Sequence, residues 1–251
     1  PRPDPSNPAF REWWSEVVAT ANRSAPLGGV FVDALPQALA PGLAKQVGDA
    51  KARAIVAGLR EMLALTKRKL GPDPASEIAC TIGGVVANNS SGMCCGTEQN
   101  SYRTIASLVL VLPSGLVIDT GAENADEILK VKAPHIHSGL IAIRDRIRGN
   151  SDSVDLIKRL FSIKNTMGYG INSFLDFDSP VKILEHLVIG SEGTLAFVAE
   201  ATFNTVPAYS HLATGLLIFQ SLADATRSLP ELVKAGFAAI ELMDATSLRV
   251  A

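Results

Sequence analysis

Between residues 71 and 104 the chain concentrates side chains of the kind that form a ligand cradle. The stretch runs Gly71-Pro-Asp-Pro-Ala-Ser76, then Thr81-Ile-Gly-Gly-Val-Val-Ala-Asn-Asn-Ser-Ser-Gly-Met-Cys-Cys-Gly-Thr97. Gly83 and Gly84 carry no Cβ, so the backbone there can approach a ligand closely. Asn88, Asn89, Ser90 and Ser91 bring many donors and acceptors into a small volume. Gly92 and Gly96 admit φ > 0, and consecutive N–H groups in such turns form an anion-binding nest. Two common phosphate binders are excluded: there is no P-loop Lys, and no G-x-G-x-x-G stands between a strand and a helix. The same composition also suits an ordinary surface loop, and periodicity does not separate the two readings.

Other reactive side chains are sparse. The three cysteines are Cys80, Cys94 and Cys95. An adjacent pair is poor spacing for zinc and no second pair completes a site, so no metal is expected. An odd, small count argues against a disulfide framework and points to a reducing, cytoplasmic setting. His135, His137 and His211 have no evident partners and read as surface or capping residues. His186 lies on an apolar helix just before Gly190-Ser-Glu-Gly193 and reads as a packed, satisfied imidazole rather than a base.

These groups must be carried by elements that the hydrophobic pattern outlines. Phe10, Trp13, Trp14, Val17 and Val18 share one face of a helix that opens at Pro8. Residues 24–48, rich in Gly, Pro and Ala, read as loop with short pieces of structure. A second helix is expected over 49–69, with Ile55, Val56, Leu59, Met62 and Leu63 inward and Lys67, Arg68 and Lys69 facing its C-terminal dipole. Residues 71–104 show little periodicity. Ile105–Leu112, the turn Pro113-Ser114-Gly115 and Leu116–Asp119 form a hairpin. Helices follow at 124–148, 151–161 and 180–188, then a long strand at 194–206. A strand–helix–strand unit over 212–219, 221–235 and 237–243 suggests the start of another domain.

The 251 residues suffice for one or two domains with a core. Apolar residues are 47%, charged residues 19%, and the net charge is −2. That balance is globular and excludes a basic nucleic-acid surface. The opening Pro-Arg-Pro-Asp-Pro has no apolar segment and does not read as a signal peptide, and without a run of 18 apolar residues no transmembrane helix is expected. Lacking an initiator Met, the chain reads as a fragment or a processed form.

The cradle stretch, with Gln99-Asn-Ser-Tyr-Arg-Thr104, closely resembles the FAD-linked oxidases that carry the para-cresol-methylhydroxylase type of flavin domain. Further matches follow in order: Ile163-Lys-Asn-Thr-Met-Gly-Tyr-Gly-Ile-Asn172, His186-Leu-Val-Ile-Gly-Ser-Glu-Gly-Thr-Leu195, and Ile240-Glu-Leu-Met-Asp-Ala-Thr-Ser-Leu248. Met-Cys-Cys most resembles the subgroup fused to a C-terminal iron–sulfur half, whose members act on D-2-hydroxyglutarate or D-lactate-like acids.

The resemblance implies an α+β fold: mainly the second subdomain of a PCMH-type FAD domain over 67–208, preceded by an atypical helical region (1–66). The beginning of a substrate or cap domain follows over 209–251. It implies FAD as cofactor, with Pro72, Asp73, Thr81, Gly83, Gly84, Asn88, Ser91, Gly92 and Gly96 as its neighbours. Ser101 and Tyr102 would close the same wall. Gly190, Glu192, Gly193 and Val198 would line the adenosine side, Glu192 through backbone shaping or a hydrogen bond. Lys164, Asn165 and Tyr169 would sit near the flavin ring and place an anionic substrate; the alternative is a solvated lysine and a packed tyrosine. The implied partners are a small 2-hydroxy acid and an iron–sulfur or other electron acceptor, in trans or in a missing C-terminal half.

Two departures stand out. The Arg-x-x-Gly-Thr-Ser-x-x-Gly pyrophosphate loop of the family has no counterpart in residues 1–66, the cap domain reads as cut off after its first strand–helix–strand unit, and no iron–sulfur cysteine cluster is present. Three readings follow: the flavin portion of a D-2-hydroxy-acid dehydrogenase, a non-catalytic module that keeps part of the flavin fold, or a different flavoenzyme such as an alcohol or aldonolactone oxidase. No catalytic residue is assigned.

Overall fold

The apolar, β-branched run Ile105–Val111 forms the central strand of a computed structural model that describes residues 7–9, 12, 50, 67–76 and 80–250. In chain order the elements are β1 (Arg68–Lys69), α1 (Ile82–Asn88), α2 (Ser101–Thr104), β2 (Ile105–Val111), β3 (Val117–Asp119), α3 (Ala125–Lys132) and α4 (Pro134–Arg148). Then come α5 (Ser151–Phe161), α6 (Ser173–Asp176), α7 (Pro180–Val188), β4 (Phe197–Phe203), β5 (Val206–Pro207), α8 (Leu222–Lys234) and α9 (Ser247–Val250). The class is α+β, as expected.

β2 lies between β3 and β4 in an antiparallel sheet, with Leu110 opposite Ile118 on one side and Leu108 opposite Ala201 on the other. The β2–β3 turn closes where Leu112 N–H donates to Leu116 O, with Gly115 at φ 83°. A second ladder pairs β1 with β5. Leu108, Leu110 and Ile118 point into a core shared with Leu129 of α3, Leu140 of α4 and Ile183 and Val188 of α7. Each such side chain contributes about 1.5–3 kcal/mol by leaving water. α7 is buried along nearly its whole length, which explains a mostly apolar helix whose polar residues Lys182, Glu185 and His186 bond within the protein. Arg148 fastens α6 to α4: its guanidinium donates to Phe174 O and Phe177 O at 2.8 Å and meets Asp178 at 2.5 Å.

Several boundaries differ from the sequence reading. The helix expected over 124–148 breaks at Ala133 (φ −139°, ψ 60°), because Pro134 disfavours a helical residue before it and opens a new helix at N1. The strand expected over 194–206 is β4 followed by the separate β5. Lys67–Lys69 do not close a helix as expected over 49–69: Lys67 has φ 55°, and Arg68–Lys69 pair with β5 instead of facing a helix dipole. The rest of that helix, the Trp-bearing helix beyond Glu12 and the loop over 24–48 lie outside the described residues. Residues 71–104 are not all loop, since they hold α1, α2 and a 3₁₀ turn at Met93–Cys95. Residues 212–219 and 237–243 form no strands: Leu212, Leu216, Ile218 and Leu242 are exposed, and without a ladder partner an apolar alternation has no backbone bonds to join. The helix between them forms as α8, within the expected 221–235.

No described helix is long and apolar enough to cross a membrane. Among the described residues no group of His, Cys, Asp and Glu is arranged to hold a metal.

Two glycines test the packing in opposite directions. A Cβ at Gly92 would stand 1.8 Å from Asp73 O, whereas one at Gly139, inside α4, meets nothing within 4 Å. Gly92→Ala is expected to destabilise the chain by about 2–4 kcal/mol. Gly139→Ala is expected to stabilise it by about 0.5–1 kcal/mol through helix propensity. Urea denaturation of both variants checks the pair.

Candidate functional site

Thr81 starts α1 as an extended N-cap, and its Oγ1 accepts from Gly84 N–H at 3.0 Å. The helix then carries Gly83 and Gly84, each costing about 1 kcal/mol relative to Ala. Protein packing does not require them. A Cβ at Gly83 would make an ordinary 3.8 Å contact with Val198 O, and one at Gly84 would meet only Thr81 Oγ1, at 3.1 Å. Gly71 is different: a Cβ there would stand 2.3 Å from Gln99 O. The paired glycines thus leave a bare strip of helix backbone that begins at the exposed Thr81.

The other end of α1 joins two motifs that are distant in sequence. Asn89 takes the left-handed conformation (φ 49°) and ends the helix. The carbonyls freed there need donors. Ser90 N–H donates to Val85 O at 2.9 Å, Gly190 N–H to Val86 O at 3.0 Å, and Glu192 N–H to Ala87 O at 2.8 Å. Gly190 (φ 82°), Glu192 (φ 53°) and Gly193 (φ 75°) let the loop after α7 turn its amides onto the helix. A Cβ on Gly190 would come within 3.0 Å of Gly168 O, so a third motif packs against the same place.

That third motif is held from two sides. Lys164 Nζ donates to Ser91 O (3.1 Å) and Gly92 O (3.0 Å). Tyr169 OH lies 2.8 Å from Thr194 Oγ1, which donates to Ser191 O at 2.6 Å. Asn165 is used locally: its Nδ2 donates to Leu160 O and its Oδ1 accepts from Met167 N–H. Gly170 passes against His186 O and the Tyr102 ring, where a Cβ would be 3.1 and 3.4 Å away.

Residues 45–121 match the family profile described as FAD binding domain. Over that stretch the chain is similar to the FAD-linked oxidases. It is 26% identical over 186 residues to a D-2-hydroxyglutarate dehydrogenase of Haemophilus influenzae, covering 72% of this chain and 18% of that protein. It is 25% identical over 163 residues to a D-lactate dehydrogenase of Archaeoglobus fulgidus, covering 65% of this chain and 25% of the relative. A D-lactate dehydrogenase of Anaerostipes hadrus is 23% identical over 160 residues, 64% of this chain and 23% of the relative. The chain therefore spans a quarter or less of the relatives it matches. No solved structure matches it significantly.

The domain match indicates FAD as the cofactor, and the geometry fits it. The bare helix strip at Gly83 and Gly84 offers close backbone approach. Asn89 Oδ1, Ser91 Oγ, Ser101 Oγ and Ser191 Oγ are buried polar atoms without a partner among the described residues, each costing about 1–3 kcal/mol until a partner reaches it. Asn89, named in the cradle stretch, and Ser191 were not among the FAD neighbours expected from the sequence. Their signal, an unpaired buried polar atom, exists only in three dimensions.

The remaining expected neighbours of FAD are distributed as follows. Thr81, Gly84, Asn88, Gly96, Glu192 and Gly193 are exposed, while Gly83, Ser91 and Val198 are half-buried. Pro72 and Gly92 are buried together, with Gly92 N–H donating to Pro72 O at 2.7 Å. Gly92 has φ −77°, so its role is close packing rather than positive φ, which belongs to Gly96 (φ 53°). The N–H groups of residues 89, 90 and 92 bond within the protein and so form no nest. Asp73 (φ 42°) pairs with Lys69 at 2.5 Å. Tyr102 faces inward: its hydroxyl donates to Asp176 at 2.8 Å and its ring meets His186 edge-on at 4.7 Å. Burial, then the Asp176 bond, raises its pKa.

His186 is packed and satisfied, between Tyr102 and Phe177 (4.1 Å), with Nδ1 donating to Lys182 O at 2.9 Å. Its neighbour Glu185 is a buried carboxyl that sequence reasoning missed. It accepts from Thr120 Oγ1 and from Lys182 Nζ at 3.0 Å, and burial pushes its pKa up against those donors. His137 does have a partner, Asp126, at 3.5 Å, while His135 and His211 are exposed.

Burial lowers the His186 pKa from 6.5 to about 4. The folded state then resists the proton that the unfolded chain accepts, so stability is lost as pH falls from the unfolded pKa toward the folded one. Between pH 7 and pH 5 this amounts to about 2 kcal/mol. Glu185, with its pKa raised, acts in the opposite direction, so comparing wild type with His186→Gln isolates the histidine. Urea denaturation at the two pH values should give a smaller acid loss in the variant, and equal losses would refute the assignment.

Proposed function

We propose that this chain is the flavin-binding part of an FAD-dependent dehydrogenase that oxidises a D-2-hydroxy acid such as D-2-hydroxyglutarate or D-lactate. The observation that carries the reading is the junction at α1, where a glycine-stripped helix and the loops at 164–170 and 189–194 meet through their backbones. The printed activities of the three relatives point to the same substrates.

In this reading residues 67–208 are the flavin subdomain and residues 209–251 begin the substrate domain. Bound there, FAD supplies a hydride acceptor for the substrate's α-carbon. Gly83, Gly84, Thr81 and Asn88 offer it the open side of α1, with Ser91, Gly92, Gly96, Pro72 and Asp73 beside them. Ser101 and Tyr102 back that wall. Gly190, Glu192, Gly193 and Val198 form the nucleotide side, where backbone shape matters more than side-chain charge. Lys164, Asn165 and Tyr169 face the substrate, Asn165 by shaping the loop. Electrons leave to an iron–sulfur centre or another acceptor supplied by a different part of the protein or a partner.

A visible spectrum of the purified chain with added FAD tests the reading. Affinity in the micromolar range or better, about −8 kcal/mol, supports it. Turnover with D-2-hydroxyglutarate or D-lactate, but not with a sugar lactone, supports the substrate class. No FAD uptake would leave a non-catalytic module that keeps part of the fold. Gly84→Val sharpens the test. The side chain would project from the exposed strip of α1 and should lower FAD affinity at least about tenfold by filling space the cofactor needs, with folding stability nearly unchanged. Unaltered FAD affinity in that variant would count against the cradle.

A further inference from the structure

The hydrogen bonds around Tyr169 and Lys164 have a polarity, and it restricts what each residue can offer a ligand. Thr194 Oγ1 and Ser191 O are 2.6 Å apart. Two oxygens so close need a proton between them, and a carbonyl has none to give. The threonine hydroxyl therefore spends its only hydrogen on Ser191. At 2.8 Å from Tyr169 OH it can then only accept, so the tyrosine donates inward. The phenol of Tyr169, itself 45% exposed, turns a lone pair outward and has no proton left for a carboxylate.

Lys164 is the complement. Its ammonium has three N–H groups, and two are engaged by Ser91 O and Gly92 O. Among the described residues one N–H remains, on a charged group whose position is fixed by two backbone carbonyls. Both side chains stand on the same short segment, whose Asn165 and Met167 bond to each other to shape the turn between them.

We propose that this segment reads the two functional groups of a 2-hydroxy acid separately: Lys164 takes the carboxylate through its remaining N–H, and Tyr169, held in acceptor polarity by Thr194, takes the hydroxyl. The inference rests on the function proposed above and goes beyond it by assigning which group each residue recognises. Thr194 is a positioning residue, acting only through Tyr169. The tyrosine discriminates a hydroxy acid from its deoxy analogue, and the lysine discriminates acids from neutral compounds.

The test uses the chain loaded with FAD, titrated with D-2-hydroxyglutarate and, separately, with glutarate, following the flavin absorption. One hydroxyl hydrogen bond should make the hydroxy acid bind about three- to tenfold more tightly. That ratio should fall to near one in Tyr169→Phe and in Thr194→Val and be kept in Thr194→Ser, with FAD affinity unchanged in all three. Lys164→Met should weaken both acids alike, by about tenfold or more, as expected for a charge-assisted bond. A ratio that survives Tyr169→Phe, or acid affinities that survive Lys164→Met, would overturn the assignment while the flavin reading stands. A chain that takes up no FAD overturns both.

Discussion

The last carbonyls of α1 must find donors, and the rest of the candidate site follows from how they do. A short helix with two glycines has little stability of its own. It persists because its C-terminal end is bonded by Ser90, Gly190 and Glu192, two of which come from the far end of the chain. Those amides can turn inward only because the loop after α7 adopts positive φ at Gly190, Glu192 and Gly193. Pinning that loop fixes Ser191 and Thr194, and Thr194 in turn fixes Tyr169. The structure of the site is therefore a chain of backbone constraints in which few side chains are free to vary.

The core supports this arrangement without taking part in it. α7 lies almost fully buried in the core it shares with β2, α3 and α4, and Ile189 caps it just before Gly190. The His186 ring, wedged between Tyr102 and Phe177, joins α7 to α2 and to the residue after α6, and Gly170 passes against His186 O and the Tyr102 ring. Burying a neutral imidazole and a carboxyl side by side costs stability, yet both have well-formed partners in Lys182 and Thr120. Arg148 performs a related task outside the core, since its bonds to Phe174 and Phe177 hold the short α6 that presents Asp176 to Tyr102.

Much of this was legible in the sequence. The hairpin over 105–119 and the helices at 151–161 and 180–188 emerged where periodicity and proline positions put them. The motifs at 81–97, 163–172 and 186–195 were recognisable as one family's signature, although their mutual contacts were not. What escaped was set by tertiary partners. α1 was hidden because Gly-Gly and Asn-Asn argue against a helix locally, and its stability comes from donors elsewhere. The strands expected over 212–219 and 237–243 had the right alternation, but pattern alone does not supply a ladder. Glu185 was overlooked because a single acidic residue on an apolar helix gives no hint of the threonine and lysine that await it.

The ladder between β2 and β4 has a kinetic consequence. β4 follows α3 to α7 in the chain, so its pairing with β2 closes the longest loop in the sheet, whereas the β2–β3 hairpin depends on near neighbours. Contacts of such separation form late, because chain entropy must be surrendered before they repay it. The loop at 190–194 sits immediately before β4 and is delivered to α1 with it. The junction that defines the site is therefore expected to assemble last and open first. Hydrogen exchange at the amides of Gly190 and Glu192, compared with those inside the β2–β3 hairpin, would report that order.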